Sequence, residues 1–442
     1  MLTERMEAFI QRLAREDVNM HGFVLSIAGE RKAEAYYAPF QKGKAHRVYS
    51  VSKTFTGIAV GMLIEEGKLS LDDHICTYFH DWLPEKPDEK LTKLTIRDML
   101  RMATCYRYTQ YREGKDEDWS RAFFTGTPTH EPGTVFHYDT GCSQALAVLV
   151  RKISGEEVID FLNGRLFAPL GATDEKYWLR DPSGCCQGGT GLCMSLEDMH
   201  KVSECILDGG RAVIPEWYAR EMGQKHIETV LQTNEEEKYG YGWQCWRTRA
   251  GWAMYGLGGQ LSIVCPQKQA ILSTIADTRL DPVGVQRIYN AFFDEVYPLI
   301  GKEDMHFRRW DLKTHTLPDR PEYAFECGRH VFAPENPLRL KSMSVETDRI
   351  LYENDRGLLT LPFHPGESIC APFPGWEKIP ALISAGFIGK GTLRVRCYAI
   401  GDAPCGFDML IVQKEDTLTV QSRKSFDPVT EGYEGVATGK AE

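Results

Sequence analysis

The sequence predicts an α/β protein of the α+β type, an antiparallel sheet sandwiched with helices and followed by a C-terminal all-β domain. Three observations predict it. Strand-textured segments near residues 22–39 and 241–276 flank a mainly helical stretch, which places one sheet under helices with a helical lobe (about 70–235) inserted in it. A closing helical pattern from Val285 to Tyr297 would pack back on that sheet. Beyond about residue 302 helical periodicity ends and short strands alternate with turns, which sets the expected domains at 1–302 and 303–442.

The elements follow in order. Leu2, Met6, Phe9, Ile10 and Leu13 keep the three-and-four spacing of a helix. Gly22 to Ala28 and Ala33 to Pro39 form a hairpin, with Gly29-Glu30-Arg31-Lys32 as the expected turn. Ser50 opens an amphipathic helix (Phe55, Ile58, Ala59, Met62) that Gly67 would cap. Thr95 with Asp98, and Ser195 with Asp198, have the form of capping boxes. Strands are expected at Tyr241 to Trp246, Trp252 to Tyr255, Leu261 to Cys265 and Ile271 to Ala276. In the C-terminal, barrel-like domain they are expected at Leu338 to Val345, Arg349 to Tyr352, Gly357 to Pro362, Ala381 to Ile388, Thr392 to Ile400, Asp408 to Gln413 and Thr417 to Gln421.

Composition bounds the function. Of the 442 residues, 42% are hydrophobic and 26% charged, as in soluble proteins with a sizeable core. A net charge of −10 disfavours nucleic acid and anionic membranes as partners. No stretch approaches the roughly 18 apolar residues of a membrane span, and the start has no apolar run of signal-peptide length. The 13 cysteines are odd in number and lack Cys-x-x-Cys, which suits reduced thiols and a cytoplasmic protein. Cys185 and Cys186 have no histidine cluster beside them, so neither metal nor cofactor is expected. A homo-oligomer is compatible with the sequence.

The candidate chemistry begins at Ser50 and Lys53. Positions i and i+3 share a helix face, so Lys53 would reach the Ser50 hydroxyl. A serine is a poor nucleophile until a base takes its proton, and a lysine serves as that base when desolvated or set near a helix N-terminus. The same two residues also fit a helix cap beside a solvated lysine, and spacing alone does not choose between the readings.

The surrounding residues do choose. Val48-Tyr49-Ser50-Val51-Ser52-Lys53-Thr54-Phe55-Thr56 resembles the active-site helix of class C β-lactamases, DD-peptidases and their esterase relatives. The similarity continues through Gly67-Lys-Leu-Ser-Leu-Asp-Asp, Leu94-Thr-Ile-Arg-Asp-Met-Leu and Pro132-Gly-Thr-Val-Phe-His-Tyr. It then runs through Gly189-Thr-Gly-Leu-Cys-Met-Ser-Leu-Glu-Asp-Met to Tyr239-Gly-Tyr-Gly-Trp, over about residues 20–300. The resemblance implies the β-lactamase/penicillin-binding-protein-like (DD-peptidase-like) fold, with Ser50 as nucleophile and Lys53 assisting it.

The family's Tyr-x-Asn motif falls on Tyr138-Asp139-Thr140. The resemblance gives Tyr138 acid or base duty with Lys53, its phenolate favoured by the nearby ammonium, and makes His137 a flanking residue. Thr140 replaces the asparagine that contacts substrate; its hydroxyl can still hydrogen-bond, without the bidentate amide. The family's Lys-Thr-Gly strand falls on Met254-Tyr255-Gly256 in the preferred register, so the backbone amides of Ser50 and Leu257 would form the oxyanion hole. A two-residue shift would put Gly256-Leu257-Gly258 on the motif and make Gly259 the donor; Gly256 and Gly258 line substrate in these registers. Neither register retains the cation, which argues against efficient β-lactam or D-Ala-D-Ala hydrolysis. Gly-Leu-Gly-Gly-Gln is similar to the branch containing aminohexanoate-oligomer hydrolases and related esterases. Trp243 would wall an apolar acyl pocket near Trp246. The expected function is a serine hydrolase acting through an acyl-enzyme on a small ester or amide. The alternatives are a true β-lactamase or D-amino-acid peptidase, and a binding or regulatory homologue that does not turn over.

Overall fold

Alternating burial along the strands sorts side chains between two cores. In the strand Met20–Ile27, Phe23 and Leu25 face one core and Val24 faces the other. The structure, a computed structural model, describes residues 2–111, 115–401, 405–425 and 432–442. It contains two compact units, Met1–Thr278 with Val283–Lys313, and Arg279–Pro282 with Thr314–Glu442.

The first unit is built on a seven-stranded sheet. Its order is Arg308–Lys313, Glu30–Ala38, Met20–Ile27, Ala270–Ala276, Gln260–Cys265, Gly251–Gly256 and Trp246–Thr248. All neighbours are antiparallel except Arg308–Lys313, which runs parallel to Glu30–Ala38. One face carries the helices Leu2–Arg15 and Gly284–Ala291, whose Leu2, Met6, Phe9 and Ile288 pack with Phe23, Leu25, Ile263 and Leu272. The opposite face carries the helices Val51–Glu65 and Leu196–Leu207, whose Phe55, Met199 and Val202 share a core with Val24, Val264 and Ile271. Both expected caps are present: Thr95 and Asp98 form a full capping box, and Ser195 accepts from the Asp198 amide.

Three local expectations change. The hairpin turns at Ala28-Gly29, two residues earlier than the centre of Gly29–Lys32, because Ile27 pairs with Glu30 and both turn residues take positive φ (52° and 76°). The serine helix is not amphipathic: every residue from Val51 to Leu63 is buried, because helices and sheet enclose it on all sides. The strand expected at Tyr241 to Trp246 begins only at Trp246. The chain bends at Gln244 (φ 55°), whose side chain turns inward to accept from Ser143 Oγ (2.6 Å) and donate to Met99 O (3.0 Å).

The second unit is a ten-stranded antiparallel near-barrel sheet around its own apolar core. Its order is Gly357–Pro362, Arg349–Asn354, Ser342–Val345, Cys327–Phe332, Gly435–Ala441, Thr417–Lys424, Gly406–Lys414, Thr392–Ala399, Trp376–Gly389 and Ser368–Phe373. Sequence reading missed Arg308–Lys313, Cys327–Phe332, Ser368–Phe373 and Gly435–Ala441. Arg308–Lys313 is a charged strand at the sheet edge, where solvent tolerates such residues. Its pairing carries the first unit past residue 302, to Lys313.

Candidate active site

Ser50 stands at the N-cap of the helix Val51–Glu65 with helical backbone angles (φ −68°, ψ −6°), and its side chain makes no capping bond. The hydroxyl is therefore not spent on the helix end, contrary to the simple cap reading. The preceding residue, Tyr49, has φ 47°, a left-handed conformation that costs a bulky residue roughly 1–2 kcal/mol. Neighbouring bonds hold that turn: Ser52 Oγ donates to Tyr49 O (2.5 Å) and accepts from Leu192 N (2.9 Å). Such a locked turn fixes where the Ser50 oxygen points.

Lys53 is 1% exposed, one turn along. Its Nζ donates to Ser50 Oγ (3.0 Å) and to Gly189 O (2.8 Å), and lies 4.8 Å from the centre of the Tyr138 ring. The Gly189 carbonyl holds the amine from the side opposite the serine. A side chain at Gly189 would strike the Thr140 methyl (2.6 Å) and Lys53 Nζ (3.2 Å), so Thr140 and Lys53 converge on the same small space.

Tyr138 stacks on Trp246, with centroids 5.4 Å apart and planes 23° apart. Burial pushes its phenol above the usual tyrosine range, the nearby Ser50 hydroxyl opposing this and the Glu237 charge adding to it. The phenolate expected from the neighbouring ammonium is thus not the resting form; the residue rests as a phenol. Asp139 is fully buried between them and the helix Thr140–Ser154, whose N-cap it is. Burial raises its carboxyl to about 6, while bonds from Thr109 and the Gly141 and Cys142 amides and the Lys53 charge pull it down. In its charged form it adds a negative field near Lys53. His137 packs edge-on to Tyr108, and burial lowers its pKa, so it stays neutral.

The strand Gly251–Gly256 ends beside the serine. A side chain at Gly256 would lie 2.1 Å from Val48 O, so only glycine permits this approach to the segment that leads into Ser50. Leu257 follows in the turn and is half exposed. Gly258 and Gly259 turn away: Gly258 O accepts from Thr278 N (3.0 Å), and Gly259 N donates to Gly256 O (3.3 Å). A side chain at Gly259 would meet Ile288 and Ala276 on the far face of the sheet. The geometry favours the Met254-Tyr255-Gly256 register. Met254 is buried in the core, so no cation stands there.

Trp243 is not a wall of this site. It is 3% exposed, stacks on His226 (4.6 Å, 7°) and packs against Trp217 and Tyr218 in the helical lobe. The bend at Gln244 separates it from Trp246, which lies between Tyr138 and Tyr255 instead. Sequence reasoning missed Gly189 O, which as a backbone acceptor leaves no side-chain signal. Among the described residues no group of acids, cysteines and histidines could hold a metal ion, and no helix is long and apolar enough to cross a membrane.

The family described as Beta-lactamase matches residues 10–292. Among curated proteins, the 6-aminohexanoate-dimer hydrolase of Paenarthrobacter ureafaciens is 26% identical over 255 residues, covering 53% of this chain and 62% of that protein. The lovastatin esterase of Penicillium rubens is 27% identical over 154 residues, covering 29% of this chain and 38% of the esterase. The match therefore spans less than two thirds of either relative. Among solved structures, an octameric penicillin-binding protein homologue from Pyrococcus abyssi shares the fold over 99% of both chains, at 14% identity and a TM-score of 0.53. On the extent of the family match, this chain belongs to the Beta-lactamase family.

Proposed function

We propose that this chain is a serine hydrolase that cleaves small esters or amides through an acyl-enzyme. One observation carries the reading: a serine hydroxyl unused by its helix, with a buried lysine amine 3.0 Å away that also stands over the ring of Tyr138. Ser50 Oγ attacks the carbonyl carbon, its proton passing to Lys53. The backbone amides of Ser50 and Leu257 hold the developing oxyanion. Tyr138 delivers a proton to the departing alkoxide or amine as the carbonyl reforms. Water then attacks the acyl-serine, the same groups moving its proton, and releases the acid. Two relatives named as a 6-aminohexanoate-dimer hydrolase and a lovastatin esterase support this substrate class. The reaction belongs to the first unit, with the second unit as an accessory domain, and its setting is cytoplasmic.

A fluorophosphonate probe should label the protein with one adduct, on the peptide carrying Ser50, read by mass spectrometry. Failure to acylate with this probe and with p-nitrophenyl esters would support the binding or regulatory homologue instead.

With Met254 where a cation would hold a substrate carboxylate, β-lactams lose a charge-assisted contact. Nitrocefin turnover is expected to fall about 100-fold below that of p-nitrophenyl butyrate in kcat/KM, a charge-assisted bond and its orientation being lost together. Comparable values would return the true β-lactamase reading.

A further inference from the structure

The Gly189 carbonyl that receives Lys53 belongs to the turn Gln187–Gly191, which is closed on itself where Thr190 N and Gly191 N donate to Gln187 O (3.0 and 2.9 Å). Gly188 and Gly189 have no side chains, so whatever aims this carbonyl must come from outside the turn. The serine helix supplies part of it. Ser52 and Thr56 are four residues apart with Lys53 between them, which sets all three on one face. Thr56 Oγ1 donates to Gly188 O (2.8 Å), Lys53 Nζ donates to Gly189 O (2.8 Å), and Ser52 Oγ accepts from Leu192 N (2.9 Å).

The helix Thr140–Ser154 holds the same turn from another side. A side chain at Gly188 would lie 2.4 Å from Ala147 Cβ, so the turn rests directly on this helix. Gln144, 1% exposed, accepts from Gly188 N (2.9 Å) through Oε1 and donates through Nε2 to Asp181 Oδ2 (3.1 Å) and Ser120 Oγ (3.2 Å). A backbone N–H only donates, so the amide oxygen must face Gly188 and the nitrogen Asp181. Asp181 is itself held, its Oδ1 accepting from Ser183 Oγ (2.7 Å) and Cys185 N (2.9 Å). Gly188 is thus gripped at both polar atoms, N–H by Gln144 and C=O by Thr56, one residue before the carbonyl that Lys53 uses.

We propose that Gln144 and Thr56 are positioning residues for the hydrolysis, which aim the Gly189 carbonyl at Lys53 by gripping Gly188 and so set how firmly the amine holds its proton. A carbonyl dipole pointed at an amine favours the charged form. Loosening the grip makes Lys53 release its proton at lower pH and places its nitrogen less well for the Ser50 hydroxyl. The consequence for catalysis rests on the hydrolase reading; the proton on Lys53 is read directly, so that the two can fail separately.

The experiment compares the full-length wild-type protein with Thr56→Val and Gln144→Met, and with Thr56→Ser, which keeps the hydroxyl. Each is labelled with lysine carrying ¹³C at Cε and titrated by NMR, the Lys53 resonance being the one absent from Lys53→Met. Its midpoint is expected about one pH unit lower in Thr56→Val and in Gln144→Met, part of a hydrogen bond to a charged group being lost, and unchanged in Thr56→Ser. Tyr138, Asp139 and Cys142, the titratable groups that face Lys53 from the helix Thr140–Ser154 and the segment before it, are the same in all four proteins. In single-turnover acylation by p-nitrophenyl butyrate the two disrupted variants should be about tenfold slower, with the acid limb of the rate profile displaced in the same direction. A variant that is merely less well folded lowers the amplitude of both signals and moves neither midpoint. A midpoint equal to wild type in either Thr56→Val or Gln144→Met, or Thr56→Ser displaced as far as Thr56→Val, would overturn the proposal. Displaced Lys53 midpoints in a chain whose Ser50 resists every acylating probe would leave the positioning role standing and remove the hydrolase reading.

Discussion

Replacing Lys53 with methionine is expected to slow acylation of Ser50 by about 10³-fold or more, while the melting temperature changes little. General base assistance contributes roughly 10²- to 10⁴-fold, and Lys53 is the amine in direct contact with the Ser50 hydroxyl. Methionine fits the same volume in a helix buried on every side, so packing is kept and one interior charge is removed. The cost to stability is the Gly189 carbonyl left without its donor, about 1 kcal/mol. The measurement is the single-turnover rate with a p-nitrophenyl ester, beside a thermal melt. Ser50→Ala should lose the acyl-enzyme altogether and leave only background hydrolysis. Lys53→Arg separates two roles: arginine keeps the charge but does not give up its proton at these pH values. If Lys53 works as a base, arginine fails like methionine; near-normal acylation in Lys53→Arg would show that only the positive field is needed.

The legible parts of this site were those set by local geometry. Ser50 and Lys53 meet because residues three apart share a helix face, which spacing alone predicts. The caps at Thr95 and Ser195 are equally local. What could not be read depends on distant segments. Lys53 takes its second acceptor from Gly189, far along the chain. Trp243 and Trp246 lie three residues apart, and an extended strand would have set them on opposite faces. Their actual separation comes from Gln244, drawn inward by Ser143 and by the Met99 and Leu100 carbonyls of the helix Ile96–Leu100. The edge strand Arg308–Lys313 escaped notice because pairing with Glu30–Ala38, not apolar content, makes it a strand. The all-β character of the second unit was plain from its turns, while its strands Cys327–Phe332, Ser368–Phe373 and Gly435–Ala441 were not.

Replacing Tyr138 with phenylalanine is expected to lower turnover by an amount that depends on the leaving group. The ring contacts survive: the Trp246 stack and the Lys53 amine over the ring need no hydroxyl. What is lost is one proton carrier beside Lys53. Because burial holds the residue as a phenol, its resting proton is available to a departing group, and it is poorly placed to begin as a base. p-Nitrophenolate leaves readily without protonation, whereas an amine or a simple alkoxide does not. The loss should therefore be about tenfold or less for a p-nitrophenyl ester and about 10²- to 10³-fold for the matching amide or ethyl ester. Rates for the three substrates in the wild-type protein and Tyr138→Phe check this directly. An equal loss for all three would assign Tyr138 to activation of the serine, the step they share. No loss for any would reduce it to a packing residue. Only an unequal loss fits a tyrosine that works in its protonated form, with Lys53 taking the serine proton first and Tyr138 supplying one to the leaving group afterwards.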